Sequence, residues 1–163
     1  MKHDLKYILA IVIVLFASCN TNQKKETAQQ QQNTLVFSQG EKIKNDNFTG
    51  TAYLKTLIDA DSLNSISVGN VTFEPGARSR WHSHPAGQIL LVIDGVGYYQ
   101  EKGKFKKILH KGDAIKCPPN TPHWHGASAD TAFVQVAITG REKGETVWLN
   151  VVTDEEYNAS GRN

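Results

Sequence analysis

Residues Gly76–Gly95 read GARSRWHSHPAGQILLVIDG, a G-x5-H-x-H-x3-Q-x6-G pattern that sets His82, His84 and Gln88 within seven positions. A second stretch, Gly112–Ala127, reads GDAIKCPPNTPHWHGA and adds His123 and His125. Four of the six histidines in the chain therefore fall in two short segments. Side chains at i and i+2 of an extended strand leave the same face of a sheet. His82 and His84 are expected to project side by side, and so are His123 and His125. Gln88 has the parity of His84, although the Pro85-Ala86-Gly87 corner weakens that count. The run Pro118-Pro119-Asn120-Thr121-Pro122 supplies a stiff turn ahead of the second pair.

Imidazole with an oxygen donor suits Mn, Fe, Ni, Cu or Zn. A lone H-x-H pair on a strand is commonly an exposed or packed pair. Two pairs in apolar surroundings, with glycines fixing the turns, point instead to one cation site.

The two stretches resemble the two motifs of the cupins, small metal-binding β-barrels. The first family motif, G-x5-H-x-H-x3,4-E-x6-G, is matched throughout except that Gln88 stands where Glu is usual. Of the second, G-x5-P-x-G-x2-H-x3-N, Gly112, Pro118 and His123 match, while Asn120 replaces the glycine and Ala127 the asparagine. Gln88, the run PHWHGA, FTGT at Phe48–Thr51, VTFEPGAR at Val71–Arg78 and the TDEEY tail are similar to the (R)-mandelonitrile lyase-like cupins. The resemblance spans about residues 45 to 157. It implies a single double-stranded β-helix (jelly-roll) barrel and a Mn2+ or Fe2+ ion, or another divalent transition metal. It also implies His82, His84, Gln88 and His123 as ligands and His125 as a base lining the pocket. Three imidazoles and an amide carry no charge, so a bound ion keeps its full positive charge. In an octahedral shell two positions would stay open, the mark of a catalytic site rather than a structural one.

The start of the chain has a different character. Lys2 and Lys6 precede an apolar run, Tyr7–Ala17, that is too short to span a bilayer as a helix. It fits the core of a signal peptide. Leu15-Phe16-Ala17-Ser18-Cys19 resembles a bacterial lipobox, with Phe16 in place of the usual Leu, which implies lipidation at Cys19. Residues 1–18 are thus expected to be a lipoprotein signal peptide, and the alternatives are a plain signal peptide or an uncleaved anchor. Residues 19–33, which include NTNQKKETAQQQQN, contain no large apolar side chain and are expected to be a disordered tether. Residues 34–163 are expected to form the folded cupin domain, held to a bacterial membrane in the cell envelope.

Composition excludes some partners. Without Lys2, Lys6 and Asp4 the remaining chain carries 16 basic and 15 acidic side chains, a balance that gives no reason to expect nucleic acid. With Cys19 lipidated, Cys117 has no partner for a disulfide and is expected to be a small buried hydrophobe.

From Leu35 onward, short apolar runs alternate with Gly, Pro, Asn and Asp, which predicts an all-β domain. Strands are expected at Leu35–Phe37, Ala52–Ile58, Ser67–Phe73, Gln88–Ile93, Gly97–Glu101, Lys104–Leu109, Ala114–Cys117, His123–Ala127, Thr131–Ile138 and Thr146–Leu149. Gln88–Ile93 and Phe133–Ile138 are nearly continuous apolar runs, expected of strands covered on both faces. Thr153-Asp154-Glu155-Glu156 is a capping-box pattern opening a short helical turn through Tyr157. Trp81 and Trp124 should face away from the histidines, toward outer packing or a dimer contact. Trp148 should close the core or a subunit interface. Lys102, Lys104, Lys106, Lys107 and Lys111 are expected on a solvated edge, and His110 on the surface. Arg80 has two readings, a loop residue by default or a partner for an anionic substrate. Phe48, Thr51 and Tyr53 are expected near the pocket.

Three functions fit this pattern. The leading one is a metal-dependent lyase of hydroxynitrile type, acting on a small hydroxy or carbonyl compound. The others are a cupin dioxygenase using the same ion and a non-catalytic module that binds a metal or small ligand. The resemblance implies a homodimer.

Overall fold

The computed structural model describes residues 36–162. The expected signal peptide, tether and lipidated Cys19 lie outside them. Residues 37–162 belong to one compact unit.

In chain order the strands are β1 (Glu41–Lys42), β2 (Phe48–Thr49), β3 (Ala52–Ile58), β4 (Ile66–Phe73), β5 (Arg78–Ser79), β6 (His82–Ser83), β7 (Gln88–Glu101), β8 (Lys106–His110), β9 (Ala114–Cys117), β10 (His123–Ala127), β11 (Phe133–Gly140) and β12 (Val147–Trp148). A short helix, α1 (Asp154–Asn158), and a last strand, β13 (Gly161–Arg162), complete the chain. Val36 and Phe37 form a bend rather than a strand, and pairing begins at β1.

Long β7 holds the sheet together. Its first half pairs with β11 and β9, and its second half with β10 and β8. The strands run in the order β1-β3-β4-β11-β7-β10-β5-β2, a single curled sheet in which β7 passes from one wall to the other. The Asp94-Gly95 pair, which looks like a turn in the sequence, is the site of this passage. Gly95 has φ of 77° and the register against β11 shifts just before it, where Ile93 is left unpaired, so the chain bends without breaking. Two expected strands are therefore one.

Inside the curl, Phe73, Leu90, Tyr99 and Phe133 are each no more than 1% exposed and meet Val71, Val92, Leu109 and Cys117. Cys117 is thus a buried hydrophobe, its thiol pushed up to about 12 chiefly by burial. Truncating a ring such as Phe73 to alanine would cost about 3–5 kcal/mol. The expectation that Gln88–Ile93 is covered on both faces fails. Gln88, Leu90 and Val92 point inward, whereas Ile89 and Leu91 are exposed on the outer face. An antiparallel sheet can leave one face to solvent, and this one does so here.

A second cluster holds Trp81, Trp124, Val152 and Tyr157. The capping box forms as the sequence suggests: Glu156 N–H donates to Thr153 Oγ1 and Thr153 N–H donates to Glu156 Oε2. Glu156 Oε2 also accepts from Trp81 Nε1, and Tyr157 Oη donates to the Ala127 carbonyl. Helix α1 therefore covers the backs of the histidine strands, and both tryptophans pack within the chain beneath it. Lys106 departs from the solvated edge expected of it. It is 5% exposed, its ammonium donates to the Tyr157 carbonyl, and it lies 4.1 Å from the centre of the Tyr98 ring.

Candidate metal centre

The two histidine segments meet through backbone pairing. His123 on β10 stands opposite His82 on β6, and β12 brings Trp148 opposite His82 from the other side. The proline-rich turn docks on the first segment, since the N–H groups of Gly87 and Asn120 both donate to the His84 carbonyl. That turn needs a left-handed residue at Asn120, whose φ is 56°. Asparagine tolerates this conformation better than other non-glycine residues, which explains how it replaces the family's glycine. Gly126 has a steric reason of its own: a Cβ there would stand 2.4 Å from the Ala77 carbonyl oxygen, where β10 and β5 pass.

These contacts bring five side chains together. Coordinating nitrogens of His82, His123 and His125 lie within 4.8 Å of one another. The His84 ring centre is 5.0 Å from that of His82 and 5.5 Å from that of His123. All four imidazoles are at most 5% exposed, and Gln88 is 8% exposed. His82, His84, Gln88 and His125 line a cavity of about 250 Å³, and the His123 ring centre lies 4.4 Å from that of His82. Apolar Phe48, Leu54, Val71 and Trp148 line one part of its wall, and Asp59, Ser67, Arg141 and Thr146 make another part polar. The volume is at the small end for ligand sites.

Each donor is held from its far side. His82 Nδ1 donates to the Arg80 carbonyl at 2.9 Å and His123 Nδ1 to the Thr121 carbonyl at 2.8 Å, leaving both Nε2 atoms with lone pairs. His84 Nδ1 is 3.2 Å from Thr146 Oγ1. Gln88 Nε2 donates to Thr139 Oγ1 at 2.8 Å, which turns Oε1 the other way. Buried with no hydrogen-bond partner are Nε2 of His84, His123 and His125 and Oε1 of Gln88. Leaving a buried polar atom unpaired costs about 1–3 kcal/mol. Several such atoms in one cavity, all lone-pair donors or able to become so, fit a divalent transition metal.

Burial holds these rings neutral. It pushes His82 and His125 well below the ordinary imidazole range, helped in each case by the neighbouring histidines. It takes His84 down to about 3, with His123 and Arg141 adding to the effect, and it lowers His123 too. Neutral imidazole is the form that binds metal.

His125 has a further partner. Gln135, fully buried on β11, places its amide nitrogen 2.9 Å from His125 Nδ1, which puts the ring proton on Nε2 and leaves Gln135 Oε1 unpaired. With the amide turned over, Oε1 takes the Nδ1 proton and a lone pair on His125 Nε2 faces the cavity. Gln135 thus selects the tautomer.

Other expectations divide. Phe48 lines the cavity, while Thr51 and Tyr53 do not. Arg80 turns away and donates to the Asp46 carbonyl. His110 is exposed. Trp148 lines the cavity, its ring 5.0 Å from His82 and 5.8 Å from Phe48, where a core or subunit contact was expected. Sequence reasoning missed Gln135, Thr139, Arg141 and Thr146. The one available signal was parity, since 135, 137 and 139 share a face of β11.

A curled β-barrel with a buried histidine cluster in its cavity defines a small metal-site cupin. The chain belongs to the cupin family: the family model described as "Cupin domain" matches residues 69–139. Among characterised proteins it is 43% identical over 113 residues to the (R)-mandelonitrile lyase of Granulicella tundricola, covering 69% of this chain and 86% of that protein. It is 30% identical over 66 residues to the acireductone dioxygenase of Alcanivorax borkumensis, covering 39% of this chain and 36% of that protein. Among solved structures, a cupin-like protein from Thermotoga maritima is 46% identical with a TM-score of 0.75, covering 78% of this chain and 97% of that one.

Proposed function

We propose that the protein is a metal-dependent lyase of hydroxynitrile type, acting on a small hydroxy or carbonyl compound. His82, His84, Gln88 and His123 hold Mn2+ or Fe2+, and His125 is the base. The observation that carries this is the set of buried, unpartnered donor atoms facing one small cavity. The similarity to (R)-mandelonitrile lyase supports the choice of chemistry.

A bound ion supplies Lewis-acid polarisation of a substrate oxygen and makes its hydroxyl more acidic. His125, kept neutral by burial, accepts the hydroxyl proton at Nε2 when Gln135 presents its amide oxygen to Nδ1. The electron pair left on that oxygen forms the carbonyl as the bond to the nitrile carbon breaks. His125 then returns the proton to cyanide, so the products are an aldehyde and hydrogen cyanide. The apolar wall of Phe48, Val71 and Trp148 packs the substituent and keeps water from the reacting carbon. Phe73, edge-on to His125 at 5.6 Å, fixes the ring.

The proposal includes a lipid anchor at Cys19, a place in the cell envelope and a homodimer. Cyanide release from mandelonitrile by the Mn- or Fe-loaded chain tests the chemistry. His125→Ala is expected to slow it by about 10²–10⁴-fold, and an unchanged rate would remove His125 from the mechanism. The similarity to acireductone dioxygenase favours a second reading, oxygen chemistry at the same ligands. Oxygen uptake with enediol substrates, absent from the metal-free chain, would select it.

A further inference from the structure

We propose that Arg141 is the specificity-determining residue of this cavity and that the natural substrate is a 2-hydroxy or 2-oxo acid, bound through its carboxylate. This rests on the cavity being a substrate site, and it narrows the hydroxy compound to an anion for which a neutral cyanohydrin is a surrogate.

Arg141 follows the end of β11 and lines the cavity beside Ser67, His84 and Thr146. Its guanidinium is aimed by three hydrogen bonds: Nε to Ser67 Oγ at 3.1 Å, and Nη1 to Thr146 Oγ1 at 3.2 Å and to Glu145 Oε2 at 2.9 Å. Thr146 Oγ1 is also 3.2 Å from His84 Nδ1, so one hydroxyl separates the guanidinium from the imidazole cluster. Among the described residues Nη2 has no hydrogen-bond partner. An arginine held this way presents a preformed fork to a carboxylate.

Charge in the cavity points the same way. Among the described residues, Asp59 and Arg141 are the only charged side chains lining it, and Asp59 makes no ion pair. The proposed ligands are neutral, so a bound divalent cation would have no carboxylate among its protein ligands. The counter-ion of Arg141 is Glu145, whose side chain is 86% exposed against 28% for the arginine. Such a solvent-facing pair is weak and is readily exchanged for a ligand's carboxylate. A negatively charged ligand would offset the cation and take the place of Glu145 on the guanidinium, whereas a neutral one would do neither.

The test compares mandelate with its neutral isostere mandelamide by calorimetric titration of the full-length chain, with and without Mn2+. Wild type is expected to prefer mandelate by about tenfold or more. Arg141→Met is expected to lower mandelate affinity on the order of 10- to 100-fold while changing mandelamide by less than about threefold. Glu145→Gln, at an exposed position, is expected to tighten mandelate by about two- to fivefold by removing the competing carboxylate. The proposal is overturned if, in both forms, wild type shows no carboxylate preference or Arg141→Met keeps it. Glu145→Gln failing to tighten mandelate overturns it too, whatever the folding of the arginine variant. Cyanide release is measured on the same samples. Its absence alongside an Arg141-dependent preference overturns the lyase reading alone, and the reverse pattern overturns the carboxylate reading alone.

Discussion

Thr139→Val should loosen metal binding without touching a proposed ligand. Thr139 is 4% exposed, and its Oγ1 is the acceptor for Gln88 Nε2 at 2.8 Å. Valine has nearly the same shape but no acceptor. The substitution has two separable effects. It strands a buried amide donor, which should lower the stability of the metal-free chain by about 1–3 kcal/mol. It also frees the Gln88 amide to rotate, so that Oε1 is no longer turned toward the imidazoles. Losing a partner that orients a ligand costs about 10- to 100-fold in metal affinity, or about 1.4–2.8 kcal/mol. Competition between the protein and a chelator for Mn2+, with free Mn2+ followed by electron paramagnetic resonance, measures that affinity. Thr139→Ser keeps the hydroxyl and should bind within about threefold of wild type. If Thr139→Val binds as tightly as wild type although its metal-free form is destabilised, the hydroxyl only fills a hydrogen bond, and Gln88 is not positioned through it.

Other expectations follow from the same geometry. The metal-free chain should lose stability as pH falls below about 6.5, because the unfolded chain then takes up protons that the buried histidines exclude. For His84, held at about 3 in the fold by burial, then His123 and Arg141, the loss between pH 7.5 and 5.5 is about 1.4 kcal/mol. His82, His123 and His125 are shifted the same way and add to it. Urea midpoints at the two pH values check this, and equal midpoints would show that the rings can be protonated in place. Asn120→Gly should be nearly neutral, while Asn120→Ala, forced to a φ of 56°, should cost about 1–2 kcal/mol. Thermal melting at pH 7.5 distinguishes the two, and equal melting temperatures would show that the turn relaxes.

The site was legible where chemistry resides in residue type and spacing. Two H-x-H pairs and a glutamine are informative alone, because imidazoles two apart on a strand share a face and few other roles need four of them. The residues that aim these ligands were hidden. Gln135 looks like a polar interruption in an apolar run until β11 is seen to pass behind β10. Trp148 reaches the cavity because β12 pairs with β6, and Arg141 because the end of β11 pairs with the start of β4; both contacts join segments more than 60 residues apart that no local pattern announces. The fold class followed from alternation and turn residues, but β7 was split in two because a left-handed glycine inside a bent strand and one in a turn look alike in sequence. Ile89 and Leu91 misled for a related reason, since an apolar run does not reveal whether its second face is covered. The capping box at Thr153 was readable because its two hydrogen bonds are local.

The central claim is that these side chains hold one divalent ion. Elemental analysis of the full-length chain, purified after exposure to Mn2+ and Fe2+ and desalted, tests it most directly, with His82→Ala and His123→Ala beside it. About one equivalent of Mn or Fe per wild-type chain, lost from both variants, is the predicted result. A wild-type chain without metal, or variants that retain a full equivalent, would contradict it.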